Sequence, residues 1–79
     1  MADFLLFGTQ GCHLCEEAEQ LLAQAGLAFD KQDILADEQF LQRYGVRIPV
    51  VLHRSSGWEL DWPFSIEMAR EFVAKAIAR

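Results

Sequence analysis

The chain has 79 residues, 52% of them hydrophobic, and its 12 acidic and 7 basic side chains give a net charge of −5. This length predicts one domain, and the acidic balance argues against binding nucleic acid, which needs clustered lysine and arginine. No apolar run approaches the roughly 18 residues of a membrane span, and the first residues do not resemble a secretory signal. We therefore expect a cytoplasmic protein with no membrane or nucleic-acid partner, and a monomer by default.

The first half of the chain predicts a strand, a helix and a second strand. Four consecutive apolar residues predict a buried strand over residues 3–8. Helical spacing of apolar residues continues over residues 12–25, and Gly26 follows where a left-handed residue often ends a helix. The side chains expected on the buried face are Leu14, Ala18, Leu21, Leu22 and Ala25. Residues 27–34 predict a second strand, parallel to the first through a right-handed crossover.

The second half predicts a short helix, two strands and a final helix. The short helix covers residues 37–44, and the strands cover residues 50–52 and 58–60, joined by a turn tight enough to make them antiparallel. Ser65 is a good N-cap for a helix over residues 66–77. The side chains expected to be buried are Phe40, Leu41, Tyr44, Ile66, Ala69, Phe72, Val73, Ala76 and Ile77. The predicted order is βαβ(α)ββα, an α/β domain with a mixed four-stranded sheet flanked by helices.

The only two cysteines, Cys12 and Cys15, lie between the first strand and the first helix. Cytosolic thiols are kept mostly reduced, so a cysteine pair there is more often reactive or metal-binding than structural. Free N–H groups and the helix dipole at a helix start stabilise an anion, and the thiolate is the reactive form of cysteine. The pattern therefore indicates dithiol–disulfide chemistry.

A Cys-x-x-Cys motif that opens a helix behind a strand, followed by Ile48-Pro49 and a ββα unit, resembles the thioredoxin superfamily. The short length makes the chain most similar to the glutaredoxins, and the resemblance covers nearly the whole chain. It implies a thioredoxin-like fold for a single domain of residues 1–79. It also implies a cis peptide bond between Ile48 and Pro49, next to the cysteines, with the backbone before the proline free to pair with substrate.

Four segments depart from the usual glutaredoxin pattern. Residues 13–14 are His-Leu rather than Pro-Tyr, and residues 9–10 are Thr-Gln where glutaredoxins usually have a lysine nearby. Residues 47–49 are Arg-Ile-Pro rather than Thr-Val-Pro. Residues 61–65, Asp-Trp-Pro-Phe-Ser, replace the Gly-Gly-x-Asp segment that holds the charged end of glutathione. The dithiol is therefore intact, while the use of glutathione stays open.

The predicted roles of the cysteines follow from their depth in the helix. Cys12 attacks a disulfide and Cys15, one turn deeper and less ionised, resolves the mixed disulfide. We expect the pKa of Cys12 to lie below the ~8.5 of a free thiol but not far below it, because Glu16 and Glu17 oppose the helix dipole. His13 is the nearest cation, and Arg47 is a second candidate if the Pro49 loop packs over the thiols.

The expected substrate-binding residues are His13, Leu14, Ile48, Pro49 and Asp61. Substrates would be protein disulfides or glutathione mixed disulfides. No cofactor or metal is expected, and electrons would come from glutathione or a reductase protein.

Other interpretations stay open at this point. The domain could be a binding or redox-sensing module, the thiols could be buried core residues, or they could supply half of a metal or iron–sulfur site. His13 could be a simple exposed spacer, and His53 is expected to be a surface residue of a strand. Trp62 and Phe64 could form an apolar rim for substrate or pack in the core, and the second is the more common outcome.

Overall fold

The structure, a computed structural model, describes residues 2–78; Met1 and Arg79, the ends of the predicted domain, lie outside the described residues. Its elements follow the predicted order, with one short 3₁₀ helix added. They are β1 (Phe4–Gly8), α1 (His13–Gln24), β2 (Asp30–Asp33), the 3₁₀ helix (Ile34–Ala36), α2 (Glu38–Tyr44), β3 (Val50–His53), β4 (Glu59–Asp61) and α3 (Ile66–Ile77).

The four strands form one mixed sheet in the order β2-β1-β3-β4. β1 pairs in parallel with β2, which places Leu6 beside Lys31, and antiparallel with β3, which places Phe7 beside Val50. β4 adds to β3 as an antiparallel edge strand. The predicted α/β architecture is confirmed, with the parallel pair made by the α1 crossover and the antiparallel strands by the tight turn.

The continuous apolar run of β1 is explained by a core on both faces of the sheet. Phe4 and Leu6 belong to one cluster, with residues of α1 and α3. Leu5 and Phe7 belong to the other, which contains Ile34 and the α2 residue Tyr44. Burying a large apolar side chain stabilises the fold by about 1.5–3 kcal/mol. Because all four apolar side chains of β1 are buried, this strand is the centre of the fold.

Three side chains predicted to be buried are exposed: Leu14 is 45% exposed, Leu41 is 44% exposed and Ile77 is 70% exposed. In α1 the inward row is Cys15, Ala18 and Leu22, and Leu14 precedes that row by one position, which turns it aside. Leu41 is rotated from the inward pair formed by Phe40 and Tyr44 in the same way. Ile77 is the last residue of α3 and lies beyond the buried Ala76.

The ends of the elements are set by local capping. β2 begins at Asp30, later than predicted, and ends at Asp33, one residue early, because Asp33 accepts a hydrogen bond from the Leu35 N–H (2.8 Å) and caps the 3₁₀ helix. Ser65 caps α3 as predicted, accepting from the Met68 N–H at 3.1 Å. Gly26 has the expected left-handed conformation, with φ of 78°.

A membrane-crossing helix would have to be longer and more apolar than any helix within residues 2–78.

Candidate active site

Cys12 and Cys15 form a disulfide bond at the start of α1. Their Cα atoms lie 5.2 Å apart, inside the usual range for disulfides. Cys12 is the N-cap of α1 and is partly exposed, whereas Cys15 faces the core and is only 4% exposed. The predicted difference in depth between the two sulfurs is present.

The helix start itself directs a hydrogen-bond donor at the outer sulfur. The Cys15 N–H donates to Cys12 Sγ at 3.2 Å, and the Glu16 N–H donates to the Cys12 carbonyl at 3.2 Å. Gly11, with φ of 77°, makes the turn that leads into this cap. In the reduced protein the same N–H group and the helix dipole would favour a thiolate at Cys12.

The charged side chains beside the disulfide pair mainly with one another. The His13 ring nitrogens lie 3.4 Å from a carboxylate oxygen of Glu17 and 3.9 Å from one of Glu16. The His13 side chain is 84% exposed, and exposed ion pairs contribute little. His13 is therefore directed toward the two glutamates that were expected to oppose a thiolate.

The Ile48–Pro49 peptide bond is cis, as the resemblance implied, and the Trp62–Pro63 bond is also cis. Because Val50 pairs with Phe7, Pro49 lies next to the end of β1 from which the cysteine loop leaves. Pro49 is buried and its carbonyl accepts from the Trp62 N–H at 3.2 Å. The backbone before the proline is not fully free, because the Ile48 N–H donates to the Tyr44 carbonyl at 3.0 Å.

A cluster of charged and polar side chains, here named the Arg47 cluster, joins α2, the loop before β3, and β4. It consists of Arg43, Tyr44, Arg47, Glu59 and Asp61. Arg47 donates to Glu59 at 2.7 Å and to both carboxylate oxygens of Asp61 at 2.8 and 3.2 Å. The Tyr44 hydroxyl donates to Glu59 at 2.7 Å. Arg47, a candidate cation for the thiols, is engaged by these carboxylates instead, and so is Asp61, a predicted substrate ligand.

The Arg47 cluster changes the protonation equilibria of its members. Burial disfavours the charged form of Glu59, but hydrogen bonds from Arg47 and Tyr44 and the positive charges of both arginines outweigh it, so the pKa of Glu59 is lowered. The pKa of Tyr44 is raised by burial, and then by its hydrogen bond to Glu59 and the charge of that carboxylate. Hydrogen bonds to Asp61 and Glu59 raise the pKa of Arg47. The cluster therefore favours a charged carboxylate beside a neutral phenol.

One expectation about a side chain of the sheet is corrected, and another is confirmed. His53 is buried rather than on the surface: its ring packs on Phe4 with centroids 4.9 Å apart, and its Nδ1 lies 2.7 Å from the Ser56 hydroxyl. The pairing of Phe4 with His53 in the sheet brings the two rings together. Phe64 is also buried, edge-on to Trp62 at 5.0 Å, so the more common core packing applies rather than an exposed rim.

An open groove of about 430 Å³ lies on the β2 side of the disulfide. Its lining includes Gly8 at the end of β1, Cys15 and Glu19 from α1, and Lys31 from β2. An ion pair of 3.1 Å joins Lys31 to Glu19. The sequence did not predict this groove, because the groove forms only where α1 packs beside the edge strand β2.

Within residues 2–78, histidine, cysteine and acidic side chains do not form any group of three or more that could hold a metal ion.

Comparison with known proteins agrees with this geometry. The family model for the glutaredoxin-like domain (DUF836) matches residues 3–74. The chain belongs to this glutaredoxin-like family. A search of curated proteins gave no significant match.

Solved structures extend the comparison to the whole fold. The X-ray structure of protein XcR50 from X. campestris is 37% identical, covers 91% of this chain and 96% of its own, and superposes with a TM-score of 0.85. A mutant of the thioredoxin-like protein BC3987 is 18% identical, with coverage of 94% and 97% and a TM-score of 0.68. The glutaredoxin (grx-1) from Archaeoglobus fulgidus is 18% identical, with coverage of 100% and 89% and a TM-score of 0.61. The predicted thioredoxin-like fold is thus confirmed, and a Cys-x-x-Cys pair in a glutaredoxin-like domain fits a thiol redox role.

Proposed function

We propose that this protein is a cytoplasmic thiol–disulfide oxidoreductase that cycles Cys12 and Cys15 between dithiol and disulfide. The observation that carries the proposal is the asymmetry of the pair, with Cys12 partly exposed at the N-cap of α1 and Cys15 4% exposed beneath it. An exchange reaction needs one sulfur that substrate can reach and a second that is protected until the first has reacted.

The reaction proceeds in two exchange steps. The Cys12 thiolate attacks one sulfur of a substrate disulfide, forms a mixed disulfide and releases the other substrate sulfur as a thiolate, which takes a proton from water. The Cys15 sulfur, losing its proton to solvent, then attacks Cys12 Sγ and releases the second substrate thiol. The product is the Cys12–Cys15 disulfide, which an external dithiol or two glutathione molecules reduce again.

His13, Leu14, Ile48 and Pro49 are proposed to contact the substrate. Leu14 is largely exposed, which suits a contact residue better than a core residue. Since the Ile48 N–H is already bound to Tyr44, we assign backbone contact with substrate at this position to the Ile48 carbonyl. The cis Pro49 lies at the same end of the sheet as the cysteines.

Protein disulfides are the favoured substrates, and a protein reductase is the favoured donor. A role for Asp61 in holding the charged end of glutathione would compete with its two hydrogen bonds from Arg47. Chemical-shift mapping tests this assignment, and we expect added glutathione to leave the amide signals of Ile48 and Asp61 in place. Shifts at both residues would instead identify glutathione as a ligand.

Turnover of a disulfide substrate by matched cysteine variants tests the activity. We expect Cys12→Ser to reduce turnover to the uncatalysed rate, because the attacking sulfur is lost. Cys15→Ser should retain the first step and accumulate a mixed disulfide, visible by mass spectrometry. A wild-type protein no faster than Cys12→Ser would contradict the proposal and favour a binding or redox-sensing module.

A further inference from the structure

Gly8, the last residue of β1, lies directly against the buried cysteine. A Cβ atom added at Gly8 would be 3.0 Å from Cys15 Sγ and 3.2 Å from Cys15 Cβ. Both distances are shorter than ordinary van der Waals contact between such atoms, about 3.5–4.0 Å. A side chain at this position would therefore push on the sulfur.

The backbone does not require glycine at this position. The glycines with positive φ within residues 2–78 are Gly11, Gly26 and Gly57, whereas Gly8 has the ordinary conformation of a strand residue. The other close approach of a glycine, at Gly45, is to the Leu41 carbonyl oxygen and not to a cysteine. The space needed by Cys15 is thus the structural reason for a glycine at the end of β1.

The buried sulfur is packed on one side and borders open volume on the other. Cys15 is 4% exposed, and Ala18, on the same face of α1, is fully buried. Interiors are close-packed, so a sulfur that must shift needs existing space. Gly8 and Cys15 both line the groove on the β2 side, which places open volume next to their contact.

We infer that Gly8 is a positioning residue, which provides the space that Cys15 Sγ occupies when the Cys12–Cys15 disulfide is reduced. The inference rests on the proposed redox cycle. Reduction by a dithiol breaks the S–S bond, transfers two electrons and two protons to the cysteines, and leaves the reductant as a cyclic disulfide. The two sulfurs must then separate from bonding distance to van der Waals contact, so the dithiol needs more room than the disulfide.

The test is the equilibrium of Gly8→Ala with a dithiothreitol redox buffer. The added methyl group should disfavour the dithiol more than the disulfide. We expect the equilibrium to shift toward the disulfide by about tenfold, which is about 30 mV more negative in reduction potential. A potential equal to that of the wild type, or one shifted the other way, would overturn the inference.

Gly57→Ala is the matched control. Gly57 has φ of 77° and its added Cβ would meet no atom within 4 Å, so the substitution should reduce stability through backbone strain. Its potential should equal that of the wild type, which separates an effect on Cys15 from a general loss of stability. An equal shift in both variants would contradict the inference.

A stability cycle covers the case in which Gly8→Ala folds but is too unstable for a redox equilibration. If the methyl group acts on Cys15 Sγ, then Gly8→Ala should cost less stability in a Cys15→Ala background, where the sulfur is gone. An equal cost in both backgrounds would overturn the inference. Turnover of a disulfide substrate, measured on the wild type and on Gly8→Ala, separates the proposed activity from the proposed role of Gly8. If Gly8→Ala shifts the reduction potential but the wild type shows no turnover, only the proposed activity is contradicted. If the wild type turns over substrate but Gly8→Ala leaves the potential unshifted, only the role of Gly8 is contradicted.

Discussion

The cysteine site and the Arg47 cluster are built in different ways. Cys12 and Cys15 lie in one short segment, and a single helix start orients both sulfurs. The Arg47 cluster instead joins the end of α2, the loop before β3, and β4. The first therefore depends on local chain geometry, and the second forms only when separate segments pack.

The two regions also differ in what holds them together. The cysteine site is held by the disulfide and by the hydrogen bond that the Cys15 N–H donates to Cys12 Sγ. In the Arg47 cluster, Glu59, whose side chain is 15% exposed, accepts from Arg43, Tyr44 and Arg47. We therefore expect the Arg47 cluster to contribute to the stability of the fold without affecting the reactivity of the cysteines. Variants of the Arg47 cluster should change stability and leave the redox potential unchanged.

The largest effect on stability is expected for Arg47→Ala. Glu59 would lose the 2.7 Å hydrogen bond from Arg47, and Asp61 would lose both of the hydrogen bonds that Arg47 donates to it. The free energy of unfolding should therefore fall by about 2 kcal/mol. Denaturant unfolding measures this change, and equilibration with a dithiothreitol buffer measures the potential.

Arg43→Ala is the matched control for Arg47→Ala. Its side chain is 64% exposed and reaches Glu59 at 3.3 Å, so its removal should cost about 0.5 kcal/mol or less. If Arg47→Ala moved the potential of Cys12 and Cys15, the two regions would be coupled and the separation argued above would be wrong.

The next effect is a dependence of stability on pH that originates in the Arg47 cluster. Because the pKa of Glu59 is lowered, its contribution is complete above the ordinary carboxyl pKa of about 4.3 and is lost as the pH falls through the folded value. The wild type should therefore be more stable than Glu59→Gln at neutral pH, and the difference should shrink in acid. A difference that stays constant from about pH 7 to pH 3 would contradict this.

The alkaline side of the same profile tests Tyr44. Its pKa is raised, so its contribution is complete below the ordinary tyrosine pKa of about 10 and is lost as the pH rises through the folded value. The advantage of the wild type over Tyr44→Phe should decrease above that pH. Unfolding curves of the two proteins at a series of pH values check this.

An effect smaller than that of Arg47→Ala is expected at the N-cap of α1. Cys12→Ser and Cys12→Ala both lack the disulfide, so they differ only in the group that can accept from the Cys15 N–H. A serine hydroxyl is a strong N-cap acceptor and a methyl group is none, so Cys12→Ser should be more stable by about 1 kcal/mol. Equal stability of the two variants would show that the cap seen in the structure contributes nothing.

Sequence reasoning succeeded where a short segment carries its own physical signal. The order of the elements, the cap at Ser65 and the turn at Gly26 all follow from local patterns, and the structure has them. The cis bond before Pro49 came from the family resemblance rather than from the residues, since cis bonds are uncommon before proline in general.

It failed where a side chain's environment depends on distant residues. His53 is buried because strand pairing places it on Phe4, and no local pattern around residue 53 indicates that contact. The sequence makes Arg47 a candidate partner for the thiols, but the antiparallel position of β4 brings Glu59 and Asp61 within its reach. Leu14 has the spacing of a core residue, yet it is rotated away from the row that packs.

Local sequence patterns were enough to predict the strand–helix–strand start, the pair of thiols at a helix N-terminus and their difference in depth. Hydrophobic periodicity and helix capping act over a few residues, so they can be read directly from the chain. The position of Gly8 against Cys15 Sγ and the binding of Asp61 by Arg47 became visible only in the folded molecule. Each contact joins residues of different structural segments, Gly8 of β1 with Cys15 of α1, and Arg47 of the loop before β3 with Asp61 of β4, and packing of the sheet and helices brings them together.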